Sequence, residues 1–460
     1  MADDFGPLTQ EVTEFIAGTT TADWPEETLE LGRRHILDTI ASIVVCGGRE
    51  TALLARGFAA AQSGTVSDGA PILGSRERAS LPDAVFASAM TAHGAEINDF
   101  CPSAFVQPGP AVVSTALCIS EIDELPGAAV LRSVIAGYEL TCRIPKALGV
   151  TNGRRLRYSS HGYAPIFGAA ATAAALRGYS DTQINHMLSY CAQQTSGSLQ
   201  WLLDVEHTEK SFVFAGMPAR NGIHAALLVE NGFTGVPDAL ESFGGWFSQP
   251  MFNAEGSDFD PRYLVEKLGE RFEMPLVAYK RYPVGGPTQP VVQAMLELGQ
   301  RVNRNEIERI EIEMPGSVTA FANAEMPALN LPYLCSIILI DGALQFEAAD
   351  SLERMKGDAE VRALMPRVHV AHDPAQEAEP RIESARVTVT LAGGGTEQTF
   401  VEHVRGFPAN PMDHDDVEAK ALELMVPKLG EAASRRLVEL VWGIDDLANA
   451  GVLVDAMVPA

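Results

Sequence analysis

The run from Ala164 to Ala175, APIFGAAATAAA, limits the fold more than any other stretch. Alanine is the best helix former, and Pro165 suits the first turn of a helix, where its missing N–H costs nothing. A helix made almost wholly of Gly and Ala has no polar face to turn to water, so it is expected among other helices. Ahead of it stand Arg154, Arg155, Arg157, Tyr158, Ser159, Ser160, His161 and Tyr163. A basic, titratable loop therefore feeds the N-terminus of a buried helix. Such an end carries free N–H groups and positive partial charge, which favour an anion. An ordinary surface loop leading into a core helix fits the same residues.

The chain around this run reads as helix for more than half its length. Leu8, Val12, Phe15 and Ile16 share a helical face. Asp23, ahead of Trp24–Pro25, is the expected N-cap of a long helix through Thr28 to Val45. Further helices are expected at 51–62, 82–95, 110–122, 127–147, after Pro165, at 181–193 and at 218–231, with strand only as fragments such as Pro71–Gly74. Near residue 270 the texture changes. Ile310, Ile312 and Met314 alternate with Glu311 and Glu313, as a half-buried strand does. Val387, Val389 and Leu391 lead through Gly393–Gly395 to Phe400 and Val401, the pattern of a β-hairpin. Helices at 287–302 and 332–345 accompany them, and helix returns from Asp416. The expected fold is mainly α: a large all-helical domain formed by residues 1–270 and 409–460, with a smaller α+β lid domain, 271–408, inserted between them.

With 460 residues, 46% of them apolar, the chain can bury a substantial core. Its net charge of −26 argues against nucleic acid and anionic membranes as partners, and makes any local cluster of cations informative. The start MADDFGPLTQEV lacks the basic and apolar regions of a signal peptide. No apolar run reaches the roughly 18–20 residues that span a bilayer. The six cysteines (Cys46, Cys101, Cys118, Cys142, Cys191, Cys335) form no CxxC pair and read as buried thiols of a reducing cytoplasm. GxGxxG, Walker and GxSxG signatures are absent. His369 and His372 fall close together, on what reads as a solvated loop with no third ligand. No metal site is expected.

Four regions carry candidate chemistry. His93-Gly-Ala-Glu96-Ile-Asn98-Asp99-Phe100 groups an imidazole with carboxyl and amide groups at a helix end. The loop around His161 is the second. Glu209-Lys210-Ser211-Phe212 precedes an apolar helix, and Tyr279-Lys280-Arg281-Tyr282-Pro283 lies at the suspected domain boundary, where ligand sites tend to form. Taken singly, each also reads as a helix end, a surface loop or a linker.

In order along the chain, HGAEIND, HGYAPIFGAAATAAAL, EKSFVFAGMPARNG, YKRYPVGGPTQP, LNLPYLCSIILIDG and RGFPANPMDHDDVEAK resemble the motifs of the MmgE/PrpD family. That group includes 2-methylcitrate dehydratase, cis-aconitate decarboxylase and iminodisuccinate epimerase. The resemblance runs from about residue 8 to the C-terminus. It implies a helical domain built from both chain ends, an α+β lid, a homodimer, and a site between the domains that uses neither metal nor organic cofactor. Position by position, His161 matches the family's active-site histidine, and Lys210 and Lys280 its two lysines. Glu96 stands where the lyases carry aspartate, Phe100 where they carry threonine, and Gln107 where they carry a second histidine.

The step such enzymes share is proton transfer at carbon next to a carboxylate. Ionising that C–H creates a dianionic enediolate. General acid–base catalysis contributes only about 10²–10⁴-fold, so fixed positive groups must carry much of the barrier. The expected catalytic residues are His161, Lys210, Lys280 and Glu96. The expected substrate contacts are Arg154, Arg157, Tyr158, Tyr163, Gln107, Arg281 and Tyr282. Three readings follow. One is a dehydratase- or decarboxylase-type lyase of a small di- or tricarboxylate. The second is an epimerase or isomerase of an amino- or hydroxy-polycarboxylate, favoured by the lost lyase residues. The third is a non-catalytic helical scaffold.

Overall fold

The computed structural model describes residues 7–64, 66, 68–150, 158–242, 245–248, 259–377 and 383–459. Helix dominates, in the places the sequence pattern predicts. The small-residue run forms the helix Ala164–Arg177, buried along nearly its whole length. It packs against Gly127–Ala147, Met217–Glu230 and Gly109–Ile122. Close approach is what its glycine supplies: a Cβ at Gly168 would stand 2.0 Å from Thr141 Oγ1 and 2.7 Å from the Gly137 carbonyl oxygen. We expect Gly168→Ala to cost about 1–3 kcal/mol, the usual penalty of overpacking, read as a lowered denaturation midpoint. A midpoint equal to the parent's would contradict this packing.

The apolar side chains gather into two main buried clusters. The larger joins Leu8 through Tyr279 with Met412 through Met457, so both chain ends share one core. The C-terminal helix His414–Leu429 lies along Glu26–Cys46. There Lys420 Nζ donates to Asp38 Oδ1 at 2.5 Å and to the Ile97 carbonyl at 2.8 Å. The second cluster is built from Ala278 through Phe407, with Phe100 reaching in from the other part of the chain.

Strands are few. β1 (Ala70–Pro71) and β2 (Arg78–Ala79) make a minimal antiparallel pair. β3 (Ile307–Met314), β4 (Val368–His372), β5 (Ala385–Leu391) and β6 (Thr396–Val401) form a sheet in the order β4-β3-β5-β6. Only β3 and β4 run parallel. Ile310 and Ile312 stand opposite Val389 and Val387, which fixes the buried face. Helix Gln289–Gly299 packs on β5 and β6, and Leu331–Asp341 on β4.

Four details depart from the sequence expectation. Asp23 does not cap the long helix. Pro25 is its N-cap residue and the helix starts at Glu26, because a proline disfavours helical geometry in the residue before it. The helices expected at 287–302 and 332–345 are shorter, and Gly342 ends the second in a left-handed conformation. His369 and His372 lie on β4 rather than in a loop; Val368 and Val370 alternate there, over a run too short to stand out. Finally, the helical run Thr208–Glu230 is long and apolar enough to cross a membrane by length and composition, yet 56% of its 18-residue apolar window is buried inside the fold. All six cysteines are buried and free.

Candidate active site

The carboxylate of Glu96 is the centre of a buried ionic cluster. Helix Leu81–Ala92 ends at His93, and the turn that follows carries Glu96 inward, where it is 1% exposed. Phe100 and Ala278 exchange backbone hydrogen bonds of 2.9 and 2.7 Å. This bridge pins the Lys280 segment beside the Glu96 segment, and Lys280 Nζ donates to Glu96 Oε2 at 2.9 Å. Lys210 reaches Glu96 Oε1 from the first helical turn after Thr208. His207 Nε2 lies 3.1 Å from the same oxygen.

His207 occupies the left-handed region, φ 60°, a conformation uncommon outside glycine and often tied to function. Ser211 Oγ lies 2.6 Å from both the His93 and the His207 carbonyl oxygens, and 2.9 Å from His207 Nδ1. Two lysines and one imidazole thus surround the Glu96 carboxylate.

The helix after Lys210 continues through a π-turn, Phe212–Gly216, a distortion frequent at functional sites. It sets Phe214 parallel to two imidazoles. His161 stacks on it at 3.5 Å between centroids, and His93 lies parallel at 5.1 Å. Lys210 Nζ sits 5.2 Å from the centre of the same ring. His161 stands in the turn Ser160–Gly162, just ahead of the small-residue helix. Ser159 Oγ accepts from Trp201 Nε1 at 2.9 Å and lies 3.5 Å from His161 Nδ1. His161 Nε2 is buried and has no hydrogen-bond partner among the described residues.

A cleft of about 370 Å³ opens over this cluster, a size suited to a small ligand. Glu96, Gln107, His161, Lys210, Phe214 and Trp201 line one side; Phe100, Phe105, Phe321, Met326 and Leu329 also border it. Gln107 is buried, and its Oε1 is unpartnered among the described residues.

Burial raises the pKa of Glu96, but Lys210, Lys280 and the His207 hydrogen bond outweigh it and hold the group well below the carboxylate range. Burial, reinforced by the two lysines, pushes His161 well below an ordinary imidazole, so it is neutral at pH 7 and able to accept a proton. His93 is lowered too, by burial first and by His207 next. Burial also lowers Lys280. The two lowered histidines, His161 and His93, tie stability to pH. Below about pH 6.5 the unfolded chain takes up protons that the folded one refuses, so stability falls with pH. Each contributes up to about 1.4 kcal/mol per pH unit between its unfolded and folded pKa. We expect the denaturation midpoint to drop between pH 6.5 and 5.5, and by less in His161→Phe; a pH-independent midpoint would contradict the neutral assignment.

The sequence-derived residues divide by position. Glu96, Lys210, Lys280, His161 and Gln107 converge at the cleft, with Lys280 fully buried behind Glu96. Arg281 and Tyr282 instead border a neighbouring depression with Lys420 and Glu423, and Arg281 pairs with Glu423 at 3.0 Å. Tyr163 is buried in the helical core against Trp246, and Tyr158 packs near Gly197; neither borders the cleft. Arg154, Arg155 and Arg157 lie outside the described residues. His207 is the residue that sequence reasoning missed. Its signal in the sequence is weak, a histidine three residues before Lys210, because it stands outside the helix that begins at Thr208. His93, Glu96 and His207 offer ligand atoms within 4.8 Å of one another, a spacing that suits a metal ion. Two ammonium groups on the same carboxylate oppose another cation there.

Sequence models of the MmgE/PrpD N-terminal and C-terminal domains match residues 10–259 and 282–446. Cis-aconitate decarboxylase of Aspergillus terreus is 24% identical over 98% of this chain and 96% of its own length. A cis-aconitate decarboxylase-like protein, oryM, of Aspergillus oryzae is 20% identical over 98% of this chain and 97% of its own.

Proposed function

The chain belongs to the MmgE/PrpD family, and on that footing we propose that it is a lyase of the dehydratase or decarboxylase type, acting on a small di- or tricarboxylate. The observation that carries this reading is the buried Glu96–Lys210–Lys280–His207 cluster beside the unpartnered Nε2 of neutral His161. Cations in a site poor in water stabilise the enediolate charge, while His161 takes or returns the proton at the α-carbon. Glu96 holds both lysine side chains in place. The reading needs no metal or organic cofactor for the proton step.

The second reading, an epimerase, is favoured by Phe100 and Gln107 on the cleft wall, because neither offers a strong acid for a leaving group. We also propose that the unit built from Ala278–Phe407 closes over the cleft as a lid. We propose a homodimer as well, supported by the exposed apolar residues Leu53, Leu54 and Phe58. The net charge of −26 supports an enzyme without nucleic-acid or anionic-membrane partners, and the six buried free cysteines support a reducing cytoplasm as its compartment.

The test is turnover of a panel of citrate-like and amino-dicarboxylic acids followed by NMR. The lyase reading expects a new alkene or released CO₂. Inversion at the α-carbon without an alkene would overturn it in favour of the epimerase, and no turnover of any acid would favour the scaffold.

A further inference from the structure

The cleft is chemically two-sided. At one end stand Lys210, His161 and Gln107, the groups suited to a carboxylate and its α-carbon. Most of the rest of the wall is aromatic and aliphatic, with Phe100, Phe105, Phe321, Met326 and Leu329 supplied largely by the second core unit and the polar side chains of Thr319, Asn323 and Glu325 among them. The rim adds Leu202 and Leu203, which are 54% and 83% exposed. Large apolar side chains so open to water at the mouth of a cavity mark a surface that a ligand covers. Charge agrees. Among the described residues Lys210 is the one Lys or Arg on the wall and already pairs with Glu96, while Asp204 and Glu325 add negative charge. A third carboxylate directed at the Phe321 side would be desolvated beside apolar groups and Glu325, with no Lys or Arg among the described lining residues there to offset the cost.

We propose that the substrate is a dicarboxylate bearing an apolar substituent larger than methyl, whose carboxylates lie at the Lys210 end and whose alkyl or aryl group fills the Phe321–Leu329 side. This rests on the carboxylate reading above and narrows it. The test measures dissociation constants of the full-length protein by calorimetry for succinate, its 2-methyl, 2-propyl, 2-butyl and 2-benzyl derivatives, and citrate. Each methylene is expected to tighten binding by about fourfold, the equivalent of about 0.8 kcal/mol of transfer free energy. 2-Butylsuccinate is expected to bind more tightly than citrate. Phe321→Ser, a change at a partly exposed position, is expected to flatten the dependence on chain length. Leu202→Ser, at the exposed rim, is a second variant with the same expectation. Binding that is flat or weaker as the chain grows, or citrate bound more tightly than 2-butylsuccinate, would overturn the proposal while leaving the carboxylate reading standing. An unchanged chain-length dependence in both variants would overturn the placement of the substituent. Failure of every acid to bind would overturn the carboxylate reading and this proposal together.

Discussion

His161→Ala is expected to lower kcat by at least about 10²-fold, and up to about 10⁴-fold, while the fold survives. The ring stands beside the cleft with Nε2 unpartnered among the described residues, and its pKa is held down by burial and by Lys210 and Lys280. Such an imidazole is unprotonated at pH 7 and ready to accept a proton. Truncation removes the acceptor and leaves the cations in place, so KM for a carboxylate should change far less than kcat. His161→Gln keeps a polar side chain of similar size but cannot shuttle the proton, and should be nearly as slow. A variant that kept more than half the parental kcat would remove His161 from the chemistry. Stability separates the roles further. Loss of stacking on Phe214 costs packing, but the ring that is lost was buried and lacked a partner at Nε2 among the described residues.

Glu96→Gln is expected to be the most destabilising single change at the site, by about 3–5 kcal/mol, the cost of breaking a buried ion pair and leaving charge unpaired. The replacement matches glutamate in shape, so the effect isolates the charge. Two buried ammonium groups would then face one another without a counter-ion. The pH dependence identifies the cause. Unpaired buried lysines have folded pKa values below their unfolded ones, so the variant should regain stability as pH rises toward about 10.4, where the unfolded lysines also lose their protons. Urea denaturation of parent and variant at pH 7 and pH 10 measures this. A gap under about 1 kcal/mol at pH 7, or one that does not narrow at pH 10, would mean that Glu96 is not the anchor of the cluster.

Much of this arrangement is legible in the sequence because it is local. The Gly/Ala run dictates a buried helix, since no other environment suits a helix without a polar face. The alternation of Ile310, Ile312 and Met314 dictates β3 for the same kind of reason. Helix starts were harder to place where two rules competed, as at Asp23 and Pro25. The site was legible where motifs carried it, at Glu96, His161, Lys210 and Lys280. His207 escaped because its role depends on a left-handed backbone and on a contact 111 residues away. Tyr163 and Arg281 sit next to site residues in sequence yet face elsewhere, one into the core and one toward Glu423. Proximity along the chain does not determine which way a side chain leaves a turn.

Proton transfer at carbon α to a carboxylate, with His161 as the acceptor, exchanges that proton with solvent. The protein is incubated in D₂O with the acids it binds, and deuterium at the α-carbon is followed by NMR. Incorporation is expected with the parent protein, reduced by at least about 10²-fold in His161→Ala. Binding without deuterium incorporation, or equal incorporation by the parent and the alanine variant, would contradict it.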